Sequence, residues 1–564
     1  MKTKSFLCLL LLFTIFLQSQ TITGELKKWH RVALTFDGPD VSEDDSDNPF
    51  RNYRLQVIFT SPSNVTFSVP GFYAADGDAA NSSANSGNKW RVYFAPDEIG
   101  QWRYDVNFVN GNDIAINNDL TEGDPLSFHG ANGTFIISNT DKTGIDNRAK
   151  GRLNYVNMRY LQFSESQNYF LKAGSDSPEN LLAYSDFDDT YNHGGTNYIK
   201  SWQPHIQDWT NSDPTWQTNK GKGLIGAINY LASKGMNALS FLTMNVNGDG
   251  KDVWPWTSHT NRDRFDVSKL DQWEIVFDHA DKLGMYLHFK TQETENDQLL
   301  NNGNLGLERQ LYYRELIARF GHHLALNWNL GEENTQTDSQ RKDMAAYFHA
   351  NDPYQHNIVI HTYPGQQDQV YNPLLGSASE LTGASVQTGI GNVNRDVSRW
   401  VQASEASGKP WVVANDEIGP ANSGVTADED YNGDTGNRSD NRNEVLHKTL
   451  WGTLMAGGTG VEYYFGYQTG ETDLTCEDFR SRKSKWEDAK VALDFFNQHL
   501  PFWDMIAMND ISSNDNAYVF GQENEIYMMY IPAGQSPTIN LGNTGINYDL
   551  KWFNPKAGGN LQNG

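Results

Sequence analysis

The chain has 564 residues, enough for roughly two or three domains and one large hydrophobic core. Its 44 Lys and Arg residues stand against 70 Asp and Glu residues, a formal net charge of -26, and no basic tract interrupts the acidity. This charge excludes nucleic acid as an expected partner and repels polyanions at long range.

Residues 1–22 predict a secretory signal peptide. Two lysines precede an apolar stretch at residues 6–17, which is too short to span a membrane. We therefore predict a secreted or periplasmic bacterial protein without a membrane span. After cleavage Cys476 is the only remaining cysteine, so no intrachain disulfide is expected.

Residues 24–140 predict an immunoglobulin-like β-sandwich. Turn residues separate runs in which apolar residues alternate with polar ones. The alternating residues are Tyr53, Leu55, Val57 and Phe59, then Trp90, Val92 and Phe94, then Trp102, Tyr104, Val106 and Phe108. We expect this domain to pack on the next one, and sugar binding is a second possible role.

Residues 150–505 predict a (β/α)8 barrel. Strand-like runs alternate with amphipathic segments such as residues 270–283 and Leu307–Phe320. The expected strands, in chain order, are residues 169–172, 238–241, 285–289, 324–330, 358–361, 384–387, 411–414 and 460–465. Their number is the one that this fold requires.

Residues 510–564 predict a small C-terminal β domain. Strand-like runs recur at residues 517–520, 526–531 and 548–553, and a turn after them is expected to lead into another strand. The domain is therefore either short or incomplete.

Two acidic residues follow short apolar runs at expected barrel strand ends. Glu333 follows residues 324–330, and Glu417 follows residues 411–414. A retaining glycosidase needs a proton donor and a nucleophilic carboxylate about 5 Å apart. Because the carboxyl ends of barrel strands meet at one open mouth, we predict Glu333 and Glu417 as the catalytic pair.

Both motifs resemble those of glycoside hydrolase clan A, in which strand four ends in Asn-Glu and strand seven in a nucleophilic Glu. The resemblance implies that Glu333 is the acid/base and Glu417 the nucleophile of a retaining enzyme. The sandwich resembles a bacterial domain of unknown function that precedes such barrels. The C-terminal strands resemble a collagen-binding-like module found with apiosidase-like barrels. By analogy, the expected substrate is a complex plant or marine algal polysaccharide or its oligosaccharides.

The sequence departs from the clan pattern at two strand ends. Glu332 replaces the clan's Asn, which bonds the sugar 2-hydroxyl, so Glu332 is an alternative acid and Asp416 an alternative nucleophile. Repulsion between Glu332 and Glu333 would raise one pKa, which suits a general acid. The clan's strand-eight Trp is absent, and Tyr463, Tyr464 and Phe465 stand there instead.

Other residues near the strand ends are predicted to bind substrate. The polar candidates are Glu332, Asn334, His288, Glu293, His361, Gln387 and Tyr463, with Gln292 and Tyr363 beside them; Trp254 and Trp256 offer faces for sugar stacking. Structural roles are the alternatives: Asn334 as a helix N-cap, His288 as a core residue, and the two tryptophans as filling at a domain junction.

We predict no metal and no cofactor. Residues 245–250 begin like a calcium loop, but Trp256 stands where the loop requires Glu. Two other functions stay open at this point: a catalytically silent carbohydrate-binding protein, and an inverting hydrolase with carboxyl groups about 6.5 to 9.5 Å apart. The oligomeric state is left open.

Overall fold

The computed structural model describes residues 20–431, 439–542 and 545–564. Almost all of the predicted signal peptide, residues 1–22, lies outside the described residues. The predicted fold class is confirmed: a parallel barrel lies between antiparallel sheets at the two ends of the chain. Among the described residues, no helix is long and apolar enough to cross a membrane.

Two antiparallel sheets form the N-terminal sandwich. One contains, in spatial order, Gln20–Gly24, Val32–Ser42, Ser86–Phe94 and Phe72–Tyr73; the other contains Thr66–Pro70, Tyr53–Thr60, Gly100–Asn110 and Asp124–Pro125, and Asn132–Ile137 also pairs with Gly100–Asn110. The alternating apolar residues are buried between the sheets, where Phe59 stacks on Phe94 with ring centroids 4.2 Å apart. The period-two pattern therefore marks the core face of each sheet.

The barrel is one parallel sheet of nine segments. We number its strands one to eight: Lys172–Ser175, Ala238–Leu242, Tyr286–Lys290, Leu326–Asn329, the two pieces Asn357–Val359 and His361–Thr362, Gly383–Thr388, Val412–Ile418, and Gly460–Tyr463. Strand one pairs with strands two and eight. The first piece of strand five pairs with strand four and the second with strand six, so the two pieces together close the barrel.

Two predicted strands need correction. Strand one begins at Lys172 and runs to Ser175, whereas the sequence predicts residues 169–172. Tyr169 instead pairs with Gln162 in an isolated bridge below the barrel. The predicted strand at residues 358–361 is two pieces, because Ile360 interrupts the ladder.

The longer helices surround the barrel, and short helices also occur in the flanking regions. The longer ones are Lys222–Ser233, Val267–Lys282, Leu307–Phe320, Asp338–Asn351, Val393–Ala406 and Lys483–His499; the shorter α-helices are Ala79–Ser82, Asn147–Lys150, Gln367–Tyr371, Arg442–Glu444 and Gly452–Met455, with a π-helix at Val445–Trp451. Short 3-10 turns lie at Ile114–Ile116, Gln203–Asp208, Thr294–Asn296, Asn301–Gly303, Asn372–Leu374, Gly376–Ala378, Ile390–Asn392, Phe479–Arg482, Phe502–Asp504 and Asn509–Ile511.

A hairpin closes the end of the barrel opposite the catalytic residues. Its strands, Leu153–Tyr155 and Leu161–Phe163, form an apolar cluster with Tyr286 and Val412 of the barrel wall. Because this end is sealed by apolar packing, the open end is the one where the strands finish.

An arginine of the barrel helix Leu307–Phe320 binds the sandwich. Arg314 donates to the carbonyl oxygens of Leu55, Gly71 and Ala115 at 2.8 to 3.0 Å. These bonds satisfy carbonyl groups at the sandwich surface, so the contact is polar as well as apolar. The sandwich therefore packs on the barrel, and its role stays a prediction.

The C-terminal region contains two small antiparallel sheets. Ile506–Ala507, Tyr518–Gln522 and Ile526–Tyr530 form the first, and Lys551–Trp552 pairs with Gln562–Asn563 in the second. The strand expected after the turn is thus present as the short segment Gln562–Asn563. Tyr530 packs on Trp451 of the barrel's π-helix with ring centroids 5.4 Å apart, so this region also rests on the barrel.

Candidate active site

Glu333 and Glu417 lie at the open end of the barrel, and one amide joins them. Glu417 belongs to strand seven and pairs in register with Gln387 of strand six. The Nε2 amide of Gln387 donates to Oε1 of Glu333 at 2.9 Å. The structure therefore brings together three residues that the sequence places at three different strand ends.

The turn that carries Glu333 is held in an unusual conformation. Glu333 has a φ of 45°, in the left-handed region that non-glycine residues occupy at a cost on the order of 1 kcal/mol. The backbone N–H of Asn334 donates to the carbonyl oxygen of His361 at 3.1 Å, and that of Glu332 to the carbonyl oxygen of Gln292 at 2.7 Å. These bonds fix the direction in which the Glu333 side chain projects.

Glu332 belongs to a buried chain of charges beside the catalytic pair. One of its oxygens contacts the ammonium of Lys290 and the other contacts Nδ1 of His361. The second ring nitrogen of His361, Nε2, lies 3.4 Å from Oε2 of Glu417. Basic and acidic side chains thus alternate along one line of contacts, in the order Lys290, Glu332, His361 and Glu417.

Lys290 is completely buried and has carboxylates on three sides. Its Nζ lies 2.6 Å from Asp176 and 3.3 Å from Glu179, in addition to the contact with Glu332. Asp176 and Glu179 follow strand one, so residues from strands one, three and four meet around this ammonium. A buried ammonium requires such partners, because desolvation of an unpaired charge is very costly.

A second charged cluster lies deeper in the barrel. Lys172 lies 2.7 Å from Asp416 and 3.0 Å from Glu462. His288 faces Glu462 through Nδ1 at 2.6 Å, and its Nε2 is 2.9 Å from the Asn329 amide. Asp416, the alternative nucleophile, is therefore engaged by a lysine in the interior. His288 is fully buried in the same cluster, in the position of a satisfied core residue.

Both candidate catalytic carboxyl groups hold protons more tightly than an ordinary glutamate. Burial raises the pKa of Glu333, and Glu332 adds to this, while the Gln387 amide opposes it. Burial also raises the pKa of Glu417 well above its usual range, with further contributions from Glu332, Glu333 and Asp176. A raised pKa lets a carboxyl group keep its proton at higher pH, which is what a general acid such as Glu333 requires.

The pKa values of the neighbouring groups shift in different directions. Burial alone would raise the pKa of Glu332, but His361 and Lys290 together hold it far below its usual range. Burial would lower the pKa of Lys290 and of His361, yet the facing carboxylates raise both. Burial raises the pKa of Asp176 to about 7, although Lys290 opposes the shift.

Further acidic residues surround the mouth. Burial raises the pKa of Glu293 well above its usual range, and Glu332, Glu295 and Glu333 add to the effect, so these carboxylates lie close together. Burial raises the pKa of Tyr464, and the nearby carboxyl groups of Asp473 and Glu417 raise it further. The rim is therefore strongly acidic, and the cations Lys290 and His361 are already paired.

The two tryptophans expected to stack on sugar are filling the protein instead. Trp254 is 1% exposed and packs edge-on against Tyr191, and Trp256 is fully buried with its ring 5.7 Å from that of Tyr312. Neither presents a free face, so the structure supports the alternative structural role.

Two other predicted binding residues are engaged in contacts within the protein. Tyr463 is buried and stacks on Trp486 of the last long helix at 5.4 Å. Asn334 donates to Gln336 at 2.9 Å and accepts from Arg341 at 3.0 Å, which shapes the turn. The alternative role of Asn334 as a helix N-cap is wrong, because Thr337 caps Asp338–Asn351.

Five charged residues of these clusters were not predicted: Lys172, Asp176, Glu179, Lys290 and Glu462. Three of them, Lys172, Lys290 and Glu462, lie inside strands and are buried. A charged residue within a strand that is buried on both faces is itself a signal, because it requires a partner inside the barrel.

Four triplets of described residues have the composition of a metal site. They are Glu274 with His322 and His323, His288 with Asp416 and Glu462, Glu332 with His361 and Glu417, and Asp176 with Glu179 and Glu332. In each triplet a carboxylate already pairs with Lys or Arg. A second cation is therefore not required for charge balance, and the expectation of no metal and no cofactor stays a prediction.

Comparison with known proteins gives one family match and several structural neighbours. Residues 25–109 match a domain of unknown function (DUF5060), within the predicted sandwich. No curated protein matches the sequence.

Three solved structures share the fold. A Bacteroides vulgatus protein provisionally assigned as a glycoside hydrolase has 17% identity and a TM-score of 0.58 over 88% of this chain and 82% of its own. A family 5 glycoside hydrolase from the same organism has 16% identity and a TM-score of 0.51 over 75% of this chain and 89% of its own. A further glycoside hydrolase has 14% identity and a TM-score of 0.52 over 75% of this chain and 92% of its own. At these identities the likeness shows the fold, and function rests on the site.

Proposed function

We propose that this chain is a retaining glycoside hydrolase, exported by a bacterium, that acts on a complex plant or marine algal polysaccharide or its oligosaccharides. One observation carries the proposal. Glu333 and Glu417, at the ends of strands four and seven, share the Gln387 amide at the open mouth of the barrel. Neighbours named as glycoside hydrolases with the same fold add support.

The proposed reaction gives each carboxyl group one role. Glu333, whose pKa is raised by burial, donates its proton to the glycosidic oxygen as the bond to the anomeric carbon breaks. Glu417 attacks the same carbon and forms a covalent glycosyl-enzyme. Glu333 then takes a proton from water, whose oxygen displaces Glu417 from the sugar.

The acidic rim supports a neutral sugar at the cleavage point. Glu179, Glu293 and Glu295 lie near the catalytic pair, and Lys290 is fully occupied by its own carboxylates. A sulfate or uronate group placed there would meet carboxyl groups and a lysine that is already paired, and an anion buried without a cationic partner is costly. Neutral glycans are therefore the substrates that we propose.

The test is the release of reducing ends from a panel of plant and algal polysaccharides and aryl glycosides. The mature protein is compared with Glu333→Gln and Glu417→Gln, which keep side-chain size and remove one acid group. Glu380→Gln is the matched control, because Glu380 lies at the protein surface with 45% of its side chain exposed.

The proposal expects release by the wild type and the control, and almost none by the two site variants. Equal release by wild type and Glu417→Gln would overturn the assignment of the nucleophile. Absence of release from the whole panel, combined with retained binding to one polysaccharide, would favour a carbohydrate-binding protein without hydrolysis.

A further inference from the structure

Lys290 occupies the interior of the barrel beneath the catalytic mouth and is not exposed to solvent. Charged groups face it from five elements. They are Asp176 and Glu179 after strand one, Glu293 after strand three, Glu332 after strand four, His361 of strand five, and Asp473 after strand eight. A buried ion cluster of this kind is a weak source of stability, since apolar residues of similar volume often replace one without loss.

The geometry connects this lysine to the proposed nucleophile. Both oxygens of Glu332 are engaged, one by Lys290 and one by Nδ1 of His361, so Glu332 has a fixed orientation. The imidazole is consequently held with Nε2 facing Glu417 at 3.4 Å. The three side chains come from strand three, from the turn directly after strand four and from strand five, so barrel elements hold them in place.

The charge on Glu417 has few other sources of support. Glu332, Glu333 and Asp176 all disfavour its ionised form, and the Gln387 amide favours it only as a neutral donor. Among the residues that the structure describes, the cation paired with Glu417 is the His361 ring when protonated, and Glu332 favours this protonation most, with a smaller contribution from Asp176. Lys290 in turn offsets the negative charge of Glu332.

We propose that Lys290 and His361, acting with Glu332, are positioning residues that supply the positive charge against which Glu417 ionises and that orient its carboxylate. The proposal rests on Glu417 being the nucleophile. It explains why a carboxylate at residue 332 is accompanied by a lysine on the adjacent strand three, since Glu332 without Lys290 would oppose ionisation of Glu417.

Two substitutions with opposite charge test the proposal by kinetics. Lys290→Met removes a positive charge, so the acid limb of the kcat/KM profile is expected to move up by at least about one pH unit. Glu332→Gln removes a negative charge, so the limb is expected to move down. The double variant keeps the wild-type net charge, and its limb is expected to return toward the wild-type position. General damage to the site would not produce shifts of opposite sign.

Lys172→Met is the matched control for the loss of a buried lysine. Lys172 pairs with two carboxylates in the deeper cluster and contacts neither Glu332 nor His361. The acid limb of the kcat/KM profile is expected to move less in Lys172→Met than in Lys290→Met. Thermal unfolding of every variant reports whether the fold is retained.

A measurement without substrate separates this proposal from the proposed activity. Titration of 13C-labelled histidine by NMR, with the His361 resonance assigned from its loss in His361→Asn, follows the ring directly. The pKa of His361 is expected to fall in Glu332→Gln and to rise in Lys290→Met, because Lys290 opposes ring protonation.

The kinetic pH profiles and the NMR titration separate failure of the positioning role from failure of the proposed activity. If the NMR shifts occur but no glycoside is hydrolysed, the charge chain stands and the proposed activity fails. If hydrolysis occurs and both variants move the acid limb in the same direction, or neither moves it, the positioning role is overturned. An unchanged His361 titration in both variants would overturn it as well.

Discussion

Replacing Gln387 by methionine removes the amide between the two carboxyl groups and keeps the side-chain length. A hydrogen bond to a charged group contributes about 1.5–3 kcal/mol, and one pKa unit corresponds to about 1.4 kcal/mol. Loss of the 2.9 Å bond to Glu333 should therefore raise the pKa of Glu333 by roughly one to two units. The same amide lowers the pKa of Glu417, so that pKa should rise too.

The assay is kcat/KM as a function of pH for wild type, Gln387→Met and the control Gln402→Met, which changes an exposed glutamine on a neighbouring helix. Both limbs of the bell-shaped profile should move to higher pH in Gln387→Met, because the limbs report the two catalytic carboxyl groups and the pKa of each should rise. An unmoved profile, or one moved to lower pH, would refute the reasoning that Gln387 stabilises both carboxylates.

His323→Gln should make the protein less sensitive to alkaline pH. Burial lowers the pKa of His323, but Glu274 and Asp281 raise it to about 10, so the charged ring stabilises the fold fully below pH 6.5 and this contribution is lost as pH rises through 10. The free energy of unfolding should fall by about 5 kcal/mol over this window in the wild type, seen as a fall in Tm that the variant lacks. Trp256→Ala should lower the free energy of unfolding by about 3–5 kcal/mol in denaturant titrations and leave KM unchanged, whereas a sugar-stacking role would raise KM. Neutral oligosaccharides should be cleaved with higher kcat/KM than sulfated or uronate-containing counterparts, and the reverse order would contradict the role given to the acidic rim.

The helices and strands could be predicted because the spacing of their apolar residues shows which face of each element is buried. The helix Leu307–Phe320 has the bounds that its apolar spacing indicates, and the alternating sandwich residues are buried as expected. The positions of Glu333 and Glu417 at strand ends follow from the same kind of pattern, since each comes after a short apolar run.

Exact strand registers were not predictable from local preference. Strand one includes Gly174, a residue that strand preference disfavours. A Cβ at Gly174 would lie 2.0 Å from the carbonyl oxygen of Ala238, so the glycine is required by close approach to strand two. Such a requirement depends on the neighbouring strand and leaves no periodic signal in the sequence.

The charged interior could be predicted only in part. His361 and Gln387 were recognised because hydroxyl-rich ligands require polar groups at strand ends. Lys290 and Asp176 were not, because their partners come from strands that are distant in sequence and meet only when the barrel closes. Trp256 shows the opposite error, since a flat aromatic ring serves equally well to bind sugar or to fill a core.

The most direct measurement is intact-mass and peptide analysis of the enzyme after reaction with an activated 2-deoxy-2-fluoro glycoside of the sugar that it cleaves. A retaining mechanism with Glu417 as nucleophile predicts a mass increase of one glycosyl group, located on the peptide that contains Glu417 and absent from Glu417→Gln. An adduct on Glu332 or Asp416 would contradict the assignment of the nucleophile. Hydrolysis that releases the inverted anomer, with no adduct at any residue, would contradict the retaining mechanism itself.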